Sequence, residues 1–431
     1  MATTYLTRTP SSAGSNTVWT VSMWVKRASL ASGKLNAAGT SSTYEFLFNG
    51  SGGLTLYNGA AEVFTTTRLF RDTSAWYHIV LAYNTTASGT DKCKLYINGT
   101  LESSFSTDNR SSAGAMSNIN QAVVQYIGKT HAGGFFDGLM SHFNSIDGTQ
   151  YAASEFGETD STTGEWKIKT SPSVTYGTNG FFILKDGNSV TDQSGNSNNF
   201  TVGGGTLTNT EDCPDNVFCT INPLDNYWQG STFANGNNTV TTGSNSRTYN
   251  TTSFMMATGK FYAECKVISG AAGNQIGVGS NLTASVSASL GTGGEGFVYK
   301  ENGYYETGGS AVSFGDAYVN GDIIGVALDV TSATPQLYFS KNGVFQGSGN
   351  PSAGTGGKSI TAVASTTIGA YFFGFCDTAT DNTRVHGWNF GNGYFATTAV
   401  ASAGTNASSN GVFEYDVPAN FTALSTKGLN L

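Results

Sequence analysis

The sequence predicts an all-β chain: two antiparallel, jelly-roll-like β-sandwich domains joined by an ordered connector. Three observations carry that expectation. The chain has 56 glycines and only 12% charged residues in 431, against about 30 glycines and ~25% charge for an average composition. Aromatic residues make up 12%, enough to build cores, so the polarity contributed by Ser, Thr and Asn belongs to turns and solvent faces rather than to disorder. Apolar residues recur with period two, the spacing of a strand that turns one face inward.

From the N-terminus, Thr17 to Arg27 (TVWTVSMWVKR) sets Val18, Thr20, Ser22 and Trp24 against Trp19, Val21, Met23 and Val25. Both faces carry apolar residues, which marks an internal strand. Glu45 to Phe48 and Leu54 to Tyr57 form a hairpin around Gly50 to Gly53. Ala75 to Tyr83 (AWYHIVLAY) is the next strand. Lys92 to Gly99 (KCKLYING) ends in Asn-Gly, and Thr100 to Phe105 returns. Tyr126 to Gly128 and Phe135 to Phe143 complete this unit. Thr149 to Glu158 reads as one short helix.

Trp166 to Trp228 reads as the connector, with a strand at Tyr176 to Leu184 followed by the turn-rich DQSGNSNN. Phe181, Phe182, Ile183 and Leu184 are too apolar for a free linker, so the segment is expected to pack on one or both sandwiches. The strongest pattern follows at Val319 to Gly347. Ile324, Val326, Leu328 and Val330 alternate with Ile323, Gly325, Ala327 and Asp329. Leu337 and Phe339 then share a face opposite Tyr338. Asn342-Gly343 between apolar runs signals a two-residue hairpin, because both residues accept positive φ. The expected boundaries are 1–165 for the first sandwich, 166–230 for the connector, 231–395 for the second sandwich and 396–431 for a C-terminal tail.

The words in that stretch, GDIIGVALD and LYFSKNGV, resemble the SPRY domain, a β-sandwich recognition module. Gly259 to Val267 (GKFYAECKV) is similar to its opening strand, Ile276 to Gly279 (IGVG) to the next, and Val385 to Gly391 (VHGWNFG) to the closing one. The likeness covers roughly Ser231 to Phe395 and implies a binding fold, not a particular partner. The first unit resembles the laminin-G/concanavalin-like lectin sandwich. That likeness rests on Trp24-Val25-Lys26, Trp76-Tyr77-His78, Leu95-Tyr96-Ile97-Asn98-Gly99, Tyr126-Ile127-Gly128 and Phe136-Asp137-Gly138. It implies glycan binding, in some members through calcium. The whole order, including DCPDNVFCTINPLD and the tail VPANFTAL, resembles virion structural or fibre-like proteins of marine tailed bacteriophages.

Net charge is −8 and the pI about 5.0. No Lys/Arg cluster exists, so a nucleic-acid partner is not expected. No apolar run approaches the ~20 residues of a membrane span, and the opening MATTYLTRTPSSAGSN has no hydrophobic segment, so neither membrane insertion nor an export signal is expected. Five cysteines, Cys93, Cys213, Cys219, Cys265 and Cys376, are widely spaced. Buried thiols are expected, although Cys213 and Cys219 are close enough to close a small loop.

The candidate chemistry is sparse. Tyr299, Tyr304 and Tyr305 cluster around an Asn-Gly turn and offer stacking surfaces, as does Trp228. Asp137, Asn144 and Asp147 are the candidate calcium ligands by their proximity in sequence; no other cofactor is expected. A glycoside hydrolase needs two carboxylates across the scissile bond, and the nearest pattern, Glu155, Glu158 and Asp160, has the wrong spacing. His78 on its strand reads as a packed histidine. No G-x-S-x-G, H-E-x-x-H or P-loop occurs.

These observations favour a non-enzymatic bacteriophage virion protein, a fibre, capsid or tail appendage that touches host glycans. Its expected partners are other virion proteins and copies of itself in a homo-oligomer, with the aromatic loop at Tyr304 and Tyr305 turned outward. The alternatives are a secreted polysaccharide-active enzyme and an intracellular SPRY adaptor.

Overall fold

A computed structural model describes residues 3–41, 44–225, 230–243, 248–281, 289–378 and 383–430. The chain is all-β: among the described residues, regular structure consists of strands and short 3₁₀ turns. It divides into two compact units, Met1–Asn209 with Cys213–Asp215, and Thr210–Asp212 with Asn216–Leu431.

The first unit contains β1 (Tyr5–Arg8), β2 (Val18–Arg27), β3 (Gly33–Ala38), β4 (Tyr44–Phe48), β5 (Leu54–Asn58), β6 (Ala61–Thr66), β7 (Trp76–Asn84) and β8 (Cys93–Ile97). They are followed by β9 (Thr100–Leu101), β10 (Phe105–Asp108), β11 (Gln125–Ile127), β12 (Gly138–Asp147), β13 (Gly157–Thr159), β14 (Trp166–Ile168), β15 (Phe181–Ile183) and β16 (Thr201–Gly204). Two sheets sandwich the core. One has the order β10-β6-β5-β4-β3-β11-β1-β16 and the other β15-β12-β2-β7-β8-β9. The strand β2 is internal, as its apolar faces require: it pairs with β7 and β12, and every residue after Val18 is buried. Its inward residues Trp19, Val21, Met23 and Val25 meet Leu54, Leu56, Phe46 and Phe64 in one core. Trp19 stacks on Tyr83 at 4.9 Å between ring centroids. Each such side chain contributes about 1.5–3 kcal/mol on burial.

Residues 166–209, the larger part of the expected ordered connector, group with the first unit. Phe181–Ile183 adds an edge strand to β12, and Thr201–Gly204 adds one to β1. The apolar run therefore completes the first sandwich. The expected strand at 176–184 is shorter, since Leu184 has φ +58 and ends it. The expected helix at 149–158 is a single 3₁₀ turn, Ala153–Glu155. Its approach is tethered instead: Thr20 Oγ1 accepts from Tyr151 N at 2.8 Å, and Gln150 Nε2 donates to Ala82 O and Asp91 O.

The second unit is also built from two sheets. One runs in the order Thr232–Ala234, Thr239–Thr241, Val385–Asn389, Lys260–Ser269, Ile323–Asp329, Gln336–Lys341 and Val344–Phe345. The other runs Thr248–Thr251, Phe372–Asp377, Asn274–Gly279, Gly296–Lys300, Tyr304–Thr307 and Ser310–Ser313. Ile324, Val326 and Leu328 lie in the core between them. Asn342 and Gly343 have φ +48 and +81 and link Lys341 to its partner Val344. That is the two-residue hairpin the sequence signals, with positive φ at both positions.

The opposite face of this sheet is not left to solvent. Residues 396–431 belong to the second unit. Phe413, Val417, Phe421 and Ala423 pack over Tyr262, Ala327 and Tyr338, and Thr422–Ala423 pairs in parallel with Phe261–Tyr262. Glu264 fastens this segment: its carboxylate accepts from Glu414 N and Tyr415 N, both at 2.9 Å, and from Tyr262 Oη at 3.1 Å. Burial pushes the Glu264 carboxyl up to about 7, and those donors pull against the rise.

Candidate functional site

In the first unit, β1 alternates around Leu6. Leu6 is 3% exposed and lies in the core, so Tyr5 and Thr7 face outward. The register puts Thr7 opposite Tyr126 on one side and Thr201 on the other. Tyr126, Thr7 and Thr201 therefore form one row across three strands on the solvent face. The two threonine hydroxyls lie 3.3 Å apart. Tyr5 lies against Gly203 and Gly204, where a Cβ would come within 2.3 and 2.7 Å of its ring. Two glycines in β16 are what make room for that ring.

A loop rises beside the row and forms a wall. Asp192 holds it from behind: Oδ1 accepts from Phe182 N and Ser194 N, and Oδ2 from Ser194 Oγ and Asn198 N, all within 2.7–2.9 Å. Asn198 Nδ2 donates to Thr178 O and Gly180 O, and its Oδ1 accepts from Arg8 Nη2. Arg8 Nη1 donates to Asn179 O. Burial lowers the Arg8 guanidinium below its ordinary value, and the Asp192 charge opposes that shift.

Row, wall and the turn after β11 enclose a groove of about 610 Å³, within the ~300–1,000 Å³ of small-ligand sites. It is lined by Tyr5, Thr7, Arg8, Thr9, Ser11, Val124, Tyr126, Lys129, Ser197, Asn198, Asn199 and Thr201. Lys129 Nζ sits over the Tyr5 ring, 3.9 Å from its centroid, with Tyr126 at 5.3 Å and Phe135 at 5.7 Å. Aromatic faces, hydroxyls and amides are the groups that stack on sugar rings and bond sugar hydroxyls. None of these lining residues is Asp or Glu.

The residues singled out from sequence fall elsewhere. Tyr299 is fully buried, packed against Tyr318 and Phe339, and Tyr305 is 6% exposed beneath Phe314. Strand alternation explains this: of neighbours 304 and 305 one must point inward, and only Tyr304, 40% exposed, reaches solvent. The three do not make a surface cluster. Trp228 lies outside the described residues. Asp137 precedes β12 and Asp147 ends it, so the two sit on the order of 30 Å apart along an extended strand. Asp147 instead receives Ser15 N and Asn179 N, and Asn144 Oδ1 receives Tyr176 Oη. The structure does not gather Asp137, Asn144 and Asp147 into a cation site. Among the described residues no group of three or more His, Cys, Asp or Glu is placed to hold a metal.

His78 is buried between Trp24 and Trp166. Glu158 lies exposed on β13, which pairs with β14 outside the hydrogen-bonded order of either main sheet.

The family model for the concanavalin A-like lectin/glucanase superfamily (laminin-G type) matches residues 2–154, less than half of the chain. No curated protein sequence matches. Among solved structures the chain is similar to the SPRY domain of human HERC1, at 16% identity and a TM-score of 0.30, over 39% of this chain and 96% of that one. It is also similar to a Bacteroides ovatus protein described as a candidate carbohydrate binder, at 15% identity and a TM-score of 0.33, over 48% of this chain and 58% of that one. A third likeness is to a heptameric pentraxin from Limulus polyphemus, at 16% identity and a TM-score of 0.26, over 35% of this chain and 71% of that one.

Proposed function

We propose that the chain is a non-enzymatic structural protein of a bacteriophage virion that binds host surface glycans through the groove of its first unit. The observation that carries the glycan reading is the outward row of Tyr126, Thr7 and Thr201 beside the Tyr5 platform and the Asp192-held wall. The lectin-like match over residues 2–154 supports it. A binding role is favoured over hydrolysis because the described lining offers no carboxylate pair. The virion reading is supported by the sequence alone, through the order of lectin-like unit, DCPDNVFCTINPLD, SPRY-like unit and VPANFTAL tail. Virion proteins and further copies of this chain are the partners it implies, as a closed symmetric oligomer. Because the groove lies on the first unit, that unit faces outward in this reading, the reverse of the orientation expected from Tyr304 and Tyr305.

Two measurements test this. Glycan-array binding by the full chain should be lost in Tyr126→Ala with the melting temperature kept; unchanged binding would remove the groove. Immunogold labelling of purified particles should decorate a capsid or tail appendage. Absence from all particles would favour the polysaccharide-active enzyme or the SPRY adaptor instead.

A further inference from the structure

We propose that the groove selects acidic saccharides, and that Lys129 is the residue that imposes the choice. This rests on the glycan reading of the groove. Lys129 Nζ lies 3.9 Å from the Tyr5 ring centroid, in the space a sugar face would need to stack there. The ammonium is held by three rings, Tyr5, Tyr126 and Phe135, an attraction of the cation for their π faces. Among the described residues Lys129 makes no ion pair. The other cation, Arg8, is committed to Asn179 O and Asn198, and the buried Asp192 offsets its charge. Lys129 is therefore the groove's mobile positive charge, on a flexible four-carbon stem.

A neutral sugar that stacks on Tyr5 must displace this ammonium and gives it nothing in return. A saccharide carrying a carboxylate or sulfate gives it an ion-pair partner, draws it off the ring and stacks on the face left bare. Bulk charge does not explain such a preference, because the chain carries −8 and repels polyanions overall.

The test uses two matched pairs with the full chain: polygalacturonate against its methyl ester, and dextran sulfate against dextran. Wild type should prefer the charged member, and added salt should weaken that binding. Lys129→Gln should lose about five-fold for the charged member and gain about three-fold for the neutral one. Lys129→Arg should restore the charged preference. The pair that responds says whether carboxylate or sulfate is read. If wild type binds both members equally and Tyr126→Ala abolishes both, the groove stands and acidic selection falls. If Lys129→Gln weakens both members alike, the selection role falls too. If no member binds, and Tyr126→Ala changes nothing, the glycan reading falls with it.

Discussion

The indole of Trp166 donates its Nε1 hydrogen to His78 Nδ1 at 2.9 Å. An indole nitrogen is a donor only, so the neutral ring of His78 carries its own hydrogen on Nε2. That nitrogen faces Ser22 Oγ at 2.9 Å and donates to it. A serine nucleophile needs the opposite, a lone pair on the nitrogen that faces it. Burial also holds His78 down to about 3, neutral at ordinary pH. The Ser22–His78 contact is a structural tie between β2 and β7.

A fluorophosphonate probe should therefore leave Ser22 unlabelled. Trp166→Phe should remove the donor and leave a buried nitrogen unsatisfied, costing the first unit about 1–3 kcal/mol in denaturant unfolding. Labelling of Ser22 that disappears in His78→Phe would refute this assignment.

Acidification should weaken the first unit more than the second. Burial lowers His78 to about 3 and His142 to about 4, the latter helped by Lys185. Their unfolded forms take up protons below about 6.5, so the stability they contribute is present above that pH and is lost as pH falls toward 4. Each group changes stability by up to ~1.4 kcal/mol per pH unit. In the second unit His386, also near 3, acts in the same direction. Glu264, raised to about 7, acts in the opposite one, since its folded form holds a proton that the unfolded form releases. The two largely offset each other between about pH 4.5 and 6.5. Hydrogen exchange at pH 7 and pH 5 should show protection falling more in Trp76–Asn84 than in Lys260–Ser269. Equal losses would contradict the opposition of His386 and Glu264.

Gly343→Val should destabilise the second unit by about 1–3 kcal/mol, because a β-branched residue is forced into positive φ. Its Cβ would also come within 2.6 Å of the Tyr415 ring. An unchanged melting temperature would argue against the Lys341–Val344 register.

Glu264→Ala should release the C-terminal segment. It removes the acceptor for Glu414 N and Tyr415 N, and a typical hydrogen bond contributes about 1 kcal/mol net. Limited proteolysis should then cut near residues 400–416 while the rest of the second unit resists. A variant as protease-resistant as wild type would show that the hydrophobic cover of Phe413 and Phe421 suffices alone.

The sandwiches were legible because their signals are local. VWTVSMWVKR states its two apolar faces within ten residues, and Asn342-Gly343 states its turn within two. Of the helix expected at 149–158 only the turn Ala153–Glu155 forms, and the residues before it are tied to distant strands, Tyr151 N to Thr20 Oγ1 and Gln150 Nε2 to Ala82 O. The tyrosine cluster failed because proximity in sequence on a strand sends neighbours to opposite faces. The groove could not be read from any window. Thr7 and Thr201 are 194 residues apart, and only the pairing of β1 with β16 brings them together. Its one local hint was DQSGNSNN, whose first residue turns out to organise the wall.

The pairing of β1 with β16 also sets a timetable. During synthesis β1 leaves the ribosome early, but its outer neighbour is encoded at Thr201–Gly204, and β12 likewise waits for Phe181–Ile183. At translation rates of about 5–20 residues per second, the interval between β1 and β16 is roughly 10–40 seconds. Through that interval the edges of the two sheets are β1 and the ten-residue β12 rather than the short strands β16 and β15, and a long open edge is the kind that recruits strands from other chains. Crowded polysomes making many copies at once would then be where this protein misassembles, and a chaperone that shields strand edges would raise its yield more than one that shelters a finished fold.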